Sequence, residues 1–161
     1  DFDQPARIIL KDDRKLLENA IKVIILHYSN CNKYSAFHGD FTPWNMFIER
    51  GKLFAFDLEY AELSFPPHLD YFHYILQVAL IVKGYKYEDA YNYSIKHIQK
   101  SPLSFHDYRM SFIAYIVYVI ALNFKLFKND IVTSDNNYPT RCHLIMKLLN
   151  DLDKTPVYRK I

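Results

Sequence analysis

Cysteine is scarce. The 161 residues contain two, Cys31 and Cys142, and neither belongs to a CxxC pair. Neither a disulfide framework nor a paired-thiolate zinc site is therefore supported, and a reducing, cytoplasmic setting is expected. An excess of charge of one sign is missing too: 20 Lys and Arg against 18 Asp and Glu leave a net charge of +2. The basic residues are scattered, so the stripe that DNA or RNA binding requires does not form, and no nucleic-acid partner is expected. Long apolar runs are also wanting. The longest, Phe112 to Phe127, is interrupted by Asn123 and Lys125, which favours a buried helix over a membrane span. Glycine occurs three times, at positions 39, 51 and 84, against 14 Tyr and 12 Phe. That balance implies a bulky aromatic core with tyrosine hydroxyls reaching the surface rather than a base-stacking platform. No repeat, low-complexity tract or linker divides the chain, so residues 1–161 are expected to form a single domain.

What is present is mostly helical patterning. Leu17, Ala20, Ile21, Ile24 and Tyr28 recur at helical spacing and predict an amphipathic helix over 13–29. "MFIE" and "KLFAF" flank Arg50 and Gly51 and predict a β-hairpin near residues 46–57, the one β element expected. After Pro66 and Pro67, "LDYFHYILQVALIV" is apolar almost all round, as a central helix would be, until Gly84 stops it. A third helix places Tyr87, Tyr91, Ser94, Ile95 and Ile98 on one face. The longest helix runs from a cap at Ser104 to about Phe127. A polar loop over 129–138 leads to a last helix opened by Pro139, with Ile145, Leu148, Leu149 and Leu152 as its stripe.

The stretch "FHGDFTPWN", residues 37–45, lies between two apolar segments and places Asp40 and Asn45 five positions apart. An extended loop can aim both side chains into one pocket, whereas a helix turns positions five apart to different sides. Metal-dependent phosphoryl transfer needs a carboxylate beside the attacking hydroxyl and oxygen ligands that hold Mg²⁺ against nucleotide phosphates. D-x-x-x-x-N is the spacing of a kinase catalytic loop, and a second acid, Asp57, follows at the end of the hairpin. Asp40, Asn45 and Asp57 are expected to share one solvent-open cleft.

"HGDFTPWN" followed by "FDLEYA" resembles the aminoglycoside phosphotransferase and choline kinase family, whose fold is protein-kinase-like, and the "DLEYA" form leans toward the choline and ethanolamine kinases. The resemblance covers about residues 15–85. It implies the mainly helical C-terminal lobe of such a fold, with ATP as co-substrate and Mg²⁺ as cofactor. It implies Asp40 as catalytic base, Asn45 and Asp57 as magnesium and nucleotide ligands, and Asp70, in "PPHLDYFHY", as the acid that braces the catalytic loop. The family's small nucleotide lobe precedes this loop by more than the 37 residues that come before His38. The resemblance therefore implies an N-terminal lobe in a longer parent chain and weak activity of these residues alone.

His38 reads as a structural residue bonded to loop backbone, since no nucleophile sits nearby for it to serve. Asp70 also fits an ordinary helix N-cap after two prolines. Glu59 would point the same way as Asp57 on an extended strand, as a metal or substrate contact or as a solvated carboxylate. Trp44 reads as a residue that packs. Two other functions fit parts of the pattern. A metallohydrolase would use His38, Asp40, His68, Asp70 and His73 as zinc or iron ligands. A non-catalytic kinase-like binding module would leave Asp40, Asn45 and Asp57 without a reaction. The phosphoryl acceptor stays open between an amino sugar, choline or ethanolamine, and a neutral sugar, because Glu88, Asp89, Asp107, Asp130, Asp135, Asp151 and Asp153 form no cluster in sequence.

Overall fold

Leu16, Leu17, Ala20, Val23 and Ile24 recur every three to four residues and form the inner face of α1 (Lys11–Tyr28). A computed structural model describes residues 11–29, 34–101, 108–128 and 136–153, and among these the protein is mainly helical with two small antiparallel sheets. Its chain order continues with β1 (Ser35–Phe37), a 3-10 turn (Pro43–Asn45), β2 (Met46–Glu49), β3 (Lys52–Ala55), β4 (Glu62–Phe65) and α2 (Leu69–Gln77). A π-helical turn (Val78–Val82) leads to α3 (Tyr87–Gln99), α4 (Tyr108–Lys128) and α5 (Tyr138–Asp153).

The centre of the molecule is α4, which touches α1, α2 and α5. Its residues Phe112, Ile113, Tyr115 and Ile116 are fully buried, and Phe112 stacks on Phe72 of α2 with ring centroids 5.3 Å apart. Leu144, Ile145 and Leu148 of α5 close the same core. Among the described residues α4 is the one helix long and apolar enough to cross a membrane; 39% of that stretch is buried against the rest of the protein. The expected cap at Ser104 and most of the polar loop at 129–138 lie outside the described residues. Of the face expected for α3, Tyr91, Ser94 and Ile98 are buried, with Ala90 beside them and Ile95 packed against the core, whereas Tyr87 is exposed at the helix start, where φ is 49°.

The hairpin forms as expected, with Phe47 opposite Phe54 and Ile48 opposite Leu53. Arg50 and Gly51 turn it, both at positive φ, which is the backbone twist a two-residue hairpin favours. It is not the only β structure. β1 pairs antiparallel with β4, Ser35 opposite Phe65 and Phe37 opposite Glu62, with an irregularity between them. These strands are three and four residues long and distant in sequence, so no local alternation or turn announces them. The central helix also differs in its last turn. At 78–82 it widens to π geometry, with Lys83 N–H donating to Val78 O at 2.9 Å.

Candidate active site

β1 brings the chain to the site. Phe37 is buried between Phe65 of β4 and Tyr118 of α4, with ring centroids at 5.0 and 5.5 Å, so residue 38 emerges beside the start of α2. There the Asp70 carboxylate accepts the backbone N–H of His38 at 2.9 Å and that of Gly39 at 3.2 Å. The N-cap of α2 is His68, in the left-handed region at φ 74°. Asp70 is therefore not the cap, and its side chain ties two amides of the loop to the helix. Gly39 is required where it stands. Its φ is +88°, and a Cβ there would lie 2.5 Å from the carbonyl oxygen of Tyr60. His38, buried against Phe41, accepts the Asp40 N–H at Nδ1 at 3.4 Å.

Asp40 and Asn45 meet. The 3-10 turn at Pro43–Asn45 folds the chain back, Asn45 N–H bonding to Thr42 O at 3.0 Å. Asn45 Nδ2 then donates to Asp40 Oδ2 at 2.7 Å and to Asp40 O at 3.1 Å. The other carboxylate oxygen, Oδ1, is 3.0 Å from His73 Nε2, and His73 Nδ1 is 3.1 Å from the Tyr115 hydroxyl. Burial pushes the Tyr115 pKa up, so its hydroxyl keeps its proton. The partners assign one chain of donors: Tyr115 O–H to His73 Nδ1, and His73 Nε2–H to Asp40. The pKa of Asp40 is held below the ordinary value, first by the His73 hydrogen bond and further by the nearness of His73 and the Asn45 bond; partial desolvation opposes them. His73 and Tyr115 carry the Asp40 side chain, and sequence reasoning named His73 only as a metal ligand. One signal was available: His73 stands one helical turn after Asp70, on the same face.

Asp57 follows the hairpin, two residues after β3 ends. Phe56 N–H donates to Asn45 O at 3.0 Å, which fastens the end of β3 to the loop. Asp57 itself is exposed, at φ 67°, a strained backbone of the kind that collects at ligand sites. Both Asp40 and Asp57 help to raise the pKa of Tyr60, behind the larger effect of its hydrogen bond to Glu59. Glu59 does not continue a strand as expected, because β3 ends at Ala55 and residues 59–60 form a turn. Trp44 is half exposed rather than packed. A cleft of about 190 Å³ opens beside Asp40, walled by Tyr60, His73, Gln77, Tyr118 and Arg141 among others. Asn45 and Asp57 do not line this cleft; Asn45 is joined directly to Asp40 and, through Phe56, to the strand end that precedes Asp57.

No family model, curated protein or solved structure matches the chain.

The zinc or iron reading finds no assembled ligand set among the described residues. Both oxygens of Asp70 accept loop amides, both ring nitrogens of His73 are engaged, and His68 is exposed at the helix start. Among the described residues no group of three or more His, Cys, Asp or Glu side chains is arranged to hold a metal ion.

Proposed function

We propose that this chain is the catalytic-loop lobe of an ATP-dependent phosphotransferase that moves a γ-phosphoryl group to a hydroxyl of a small molecule in the cytoplasm. The observation that carries the reading is the closure of Asn45 onto Asp40 at 2.7 Å, with the loop amides braced by Asp70. A carboxylate fixed from both sides is suited to orient one acceptor hydroxyl. Each carboxylate oxygen has a second lone pair beyond the bonds from Asn45 and His73, and the acceptor O–H donates there.

Asp40 is a weak base, since its pKa is lowered. It takes the proton late, when bonding of the acceptor oxygen to phosphorus has made that proton acidic. As the acceptor oxygen bonds to the γ-phosphorus, the bond from phosphorus to the β–γ bridging oxygen breaks and its electron pair leaves with ADP. The acceptor's proton passes to Asp40 and then to solvent.

The residues present fit a magnesium ion. The Asn45 amide nitrogen is committed to Asp40, so its carbonyl oxygen would be the atom that faces the ion. Asp57 adds an exposed carboxylate at the strand end fastened to Asn45. Two hard oxygen donors, completed by phosphates and water, suit Mg²⁺, which would offset phosphate charge during transfer. Incubating the chain with Mg·ATP labelled at the γ-position and a panel of hydroxylated acceptors tests the reading. Labelled product that disappears in Asp40→Asn supports it, and no transfer to any acceptor beyond that variant's background rejects it.

A further inference from the structure

Resting on the phosphotransferase reading, we infer that Gln77 is the residue that selects the acceptor: it takes a second, uncharged hydrogen-bonding group of an alcohol whose reacting hydroxyl lies on Asp40. The class this assigns is a compact alcohol with a second hydroxyl or an amide, the two groups joined by an apolar carbon skeleton. The first ground is the pattern of α2 and its π turn. In "LDYFHYILQVALIV", tyrosines apart, the polar residues are Asp70, His73 and Gln77, spaced three and four positions apart and so on one helix face. Asp70 holds the loop amides and His73 holds the Asp40 carboxylate. Gln77 follows one turn further along, about 6 Å at 1.5 Å per residue, and lines the cleft that opens beside Asp40. Two members of the stripe serve the loop, and the third faces the space where the loop's substrate would lie.

The second ground is that Gln77 is uncommitted. Its amide has no hydrogen-bond partner among the described residues, whereas Asn123, the other amide of the wall, has a partner already. Gln77 is partly buried, so its amide is partly desolvated without a bond that offsets the loss, and an acceptor group placed there supplies that bond. An amide both donates and accepts, so it meets a hydroxyl either way round. The backbone changes at the same point: the π turn begins at Val78, directly after Gln77, and such turns recur at functional sites. The third ground is the rest of the wall. Val119, Leu122 and Leu126 of α4 recur at three and four positions and give the cleft an apolar stripe, suited to C–H surface between two polar groups. The volume, about 190 Å³, is below the roughly 300 Å³ at which pockets begin to hold drug-sized ligands. A single small ring or a short chain fits that scale.

Cyclohexanol and the 1,2-, 1,3- and 1,4-cyclohexanediols test this, because they share an apolar ring and differ by one hydroxyl and its position. Binding to the full 161-residue chain is measured without nucleotide by ligand-observed NMR. At least one diol should bind about three- to tenfold more tightly than cyclohexanol, the gain of one uncharged hydrogen bond. Gln77→Met, similar in length and a comparable helix former, should erase that preference while leaving cyclohexanol binding unchanged. Gln77→Glu, which keeps an accepting oxygen, should retain the preference. If Gln77→Met loses cyclohexanol binding as well, the preference kept in Gln77→Glu upholds the inference and its loss there overturns it. No binding of any diol, equal binding of diols and cyclohexanol, or a preference that survives in Gln77→Met overturns it too. A diol preference that depends on Gln77, with no labelled phosphate reaching any diol, sinks the phosphotransferase reading and leaves the Gln77 site standing. Phosphoryl transfer to cyclohexanol and the diols alike does the reverse.

Discussion

Asp40 accepts hydrogen bonds at both carboxylate oxygens, from Asn45 and from His73, and each bond favours the ionised form. Three predictions belong to this scale. On the proposed reading, in which the residue acts on the acceptor proton and not on the nucleotide, Asp40→Asn should lower kcat by about 10²-fold or more while leaving the ATP dissociation constant within a few-fold; steady-state kinetics and calorimetry separate the two. His73→Phe removes the largest cause of the lowered Asp40 pKa. A depressed carboxylate contributes stability that is present above its unfolded value, here 3.8, and is lost as pH falls through the lower folded value. The acid-side loss of stability should therefore shrink in His73→Phe, the profiles of the two proteins drawing together as pH falls below 3.8, and an unchanged loss would show that His73 does not hold Asp40. Gly39→Ala should cost at least about 1–3 kcal/mol, from left-handed backbone strain and from overlap with Tyr60. Chemical denaturation reads that loss directly.

At the scale of elements, α2 is the platform: Asp70 in its first turn holds the loop backbone and His73, one turn later, holds the Asp40 side chain. The β1–β4 pair delivers the loop to that platform, and its anchor is Phe37, 3 % exposed between Phe65 and Tyr118. Phe37→Ala should cost about 3–5 kcal/mol in equilibrium unfolding, the usual range for a buried phenylalanine. The amide resonances of residues 38–42 should shift with it, since the loop loses its lead-in; a shift confined to α4 would separate the sheet from the site. The β2–β3 hairpin contributes differently. Its Phe47 and Phe54 rings stack across the strands at 5.1 Å while both stay half exposed, so it is held by cross-strand pairing more than by burial.

On the proposed phosphotransferase reading, the whole chain offers an acceptor more groups than it offers a nucleotide. Acceptor-side groups are numerous, whereas its three isolated glycines form no phosphate-cradling loop, and the nucleotide side of the proposed site rests on Asn45 and Asp57. The 161 residues should bind Mg·ATP more weakly than about 100 μM. Calorimetric titration yielding a low-micromolar constant would contradict this division, and Asp57→Ala should weaken whatever binding is seen.

Sequence alone determined the helices and the short-range part of the site. Periodic apolar residues mark the buried faces of α1 and α5 because a helix face repeats every three to four residues regardless of its neighbours. The five-residue separation of Asp40 and Asn45 anticipated their meeting because one turn of chain suffices to close it. The pairing of β1 with β4, the His73 and Tyr115 support behind Asp40, and the placing of Arg141 in the cleft wall were decided only by the tertiary structure. His73 lies 33 residues from Asp40 and Tyr115 a further 42 on. Contacts over such spans depend on how α2, α4 and α5 stack, and that is set by the shapes of many buried side chains at once rather than by any local pattern.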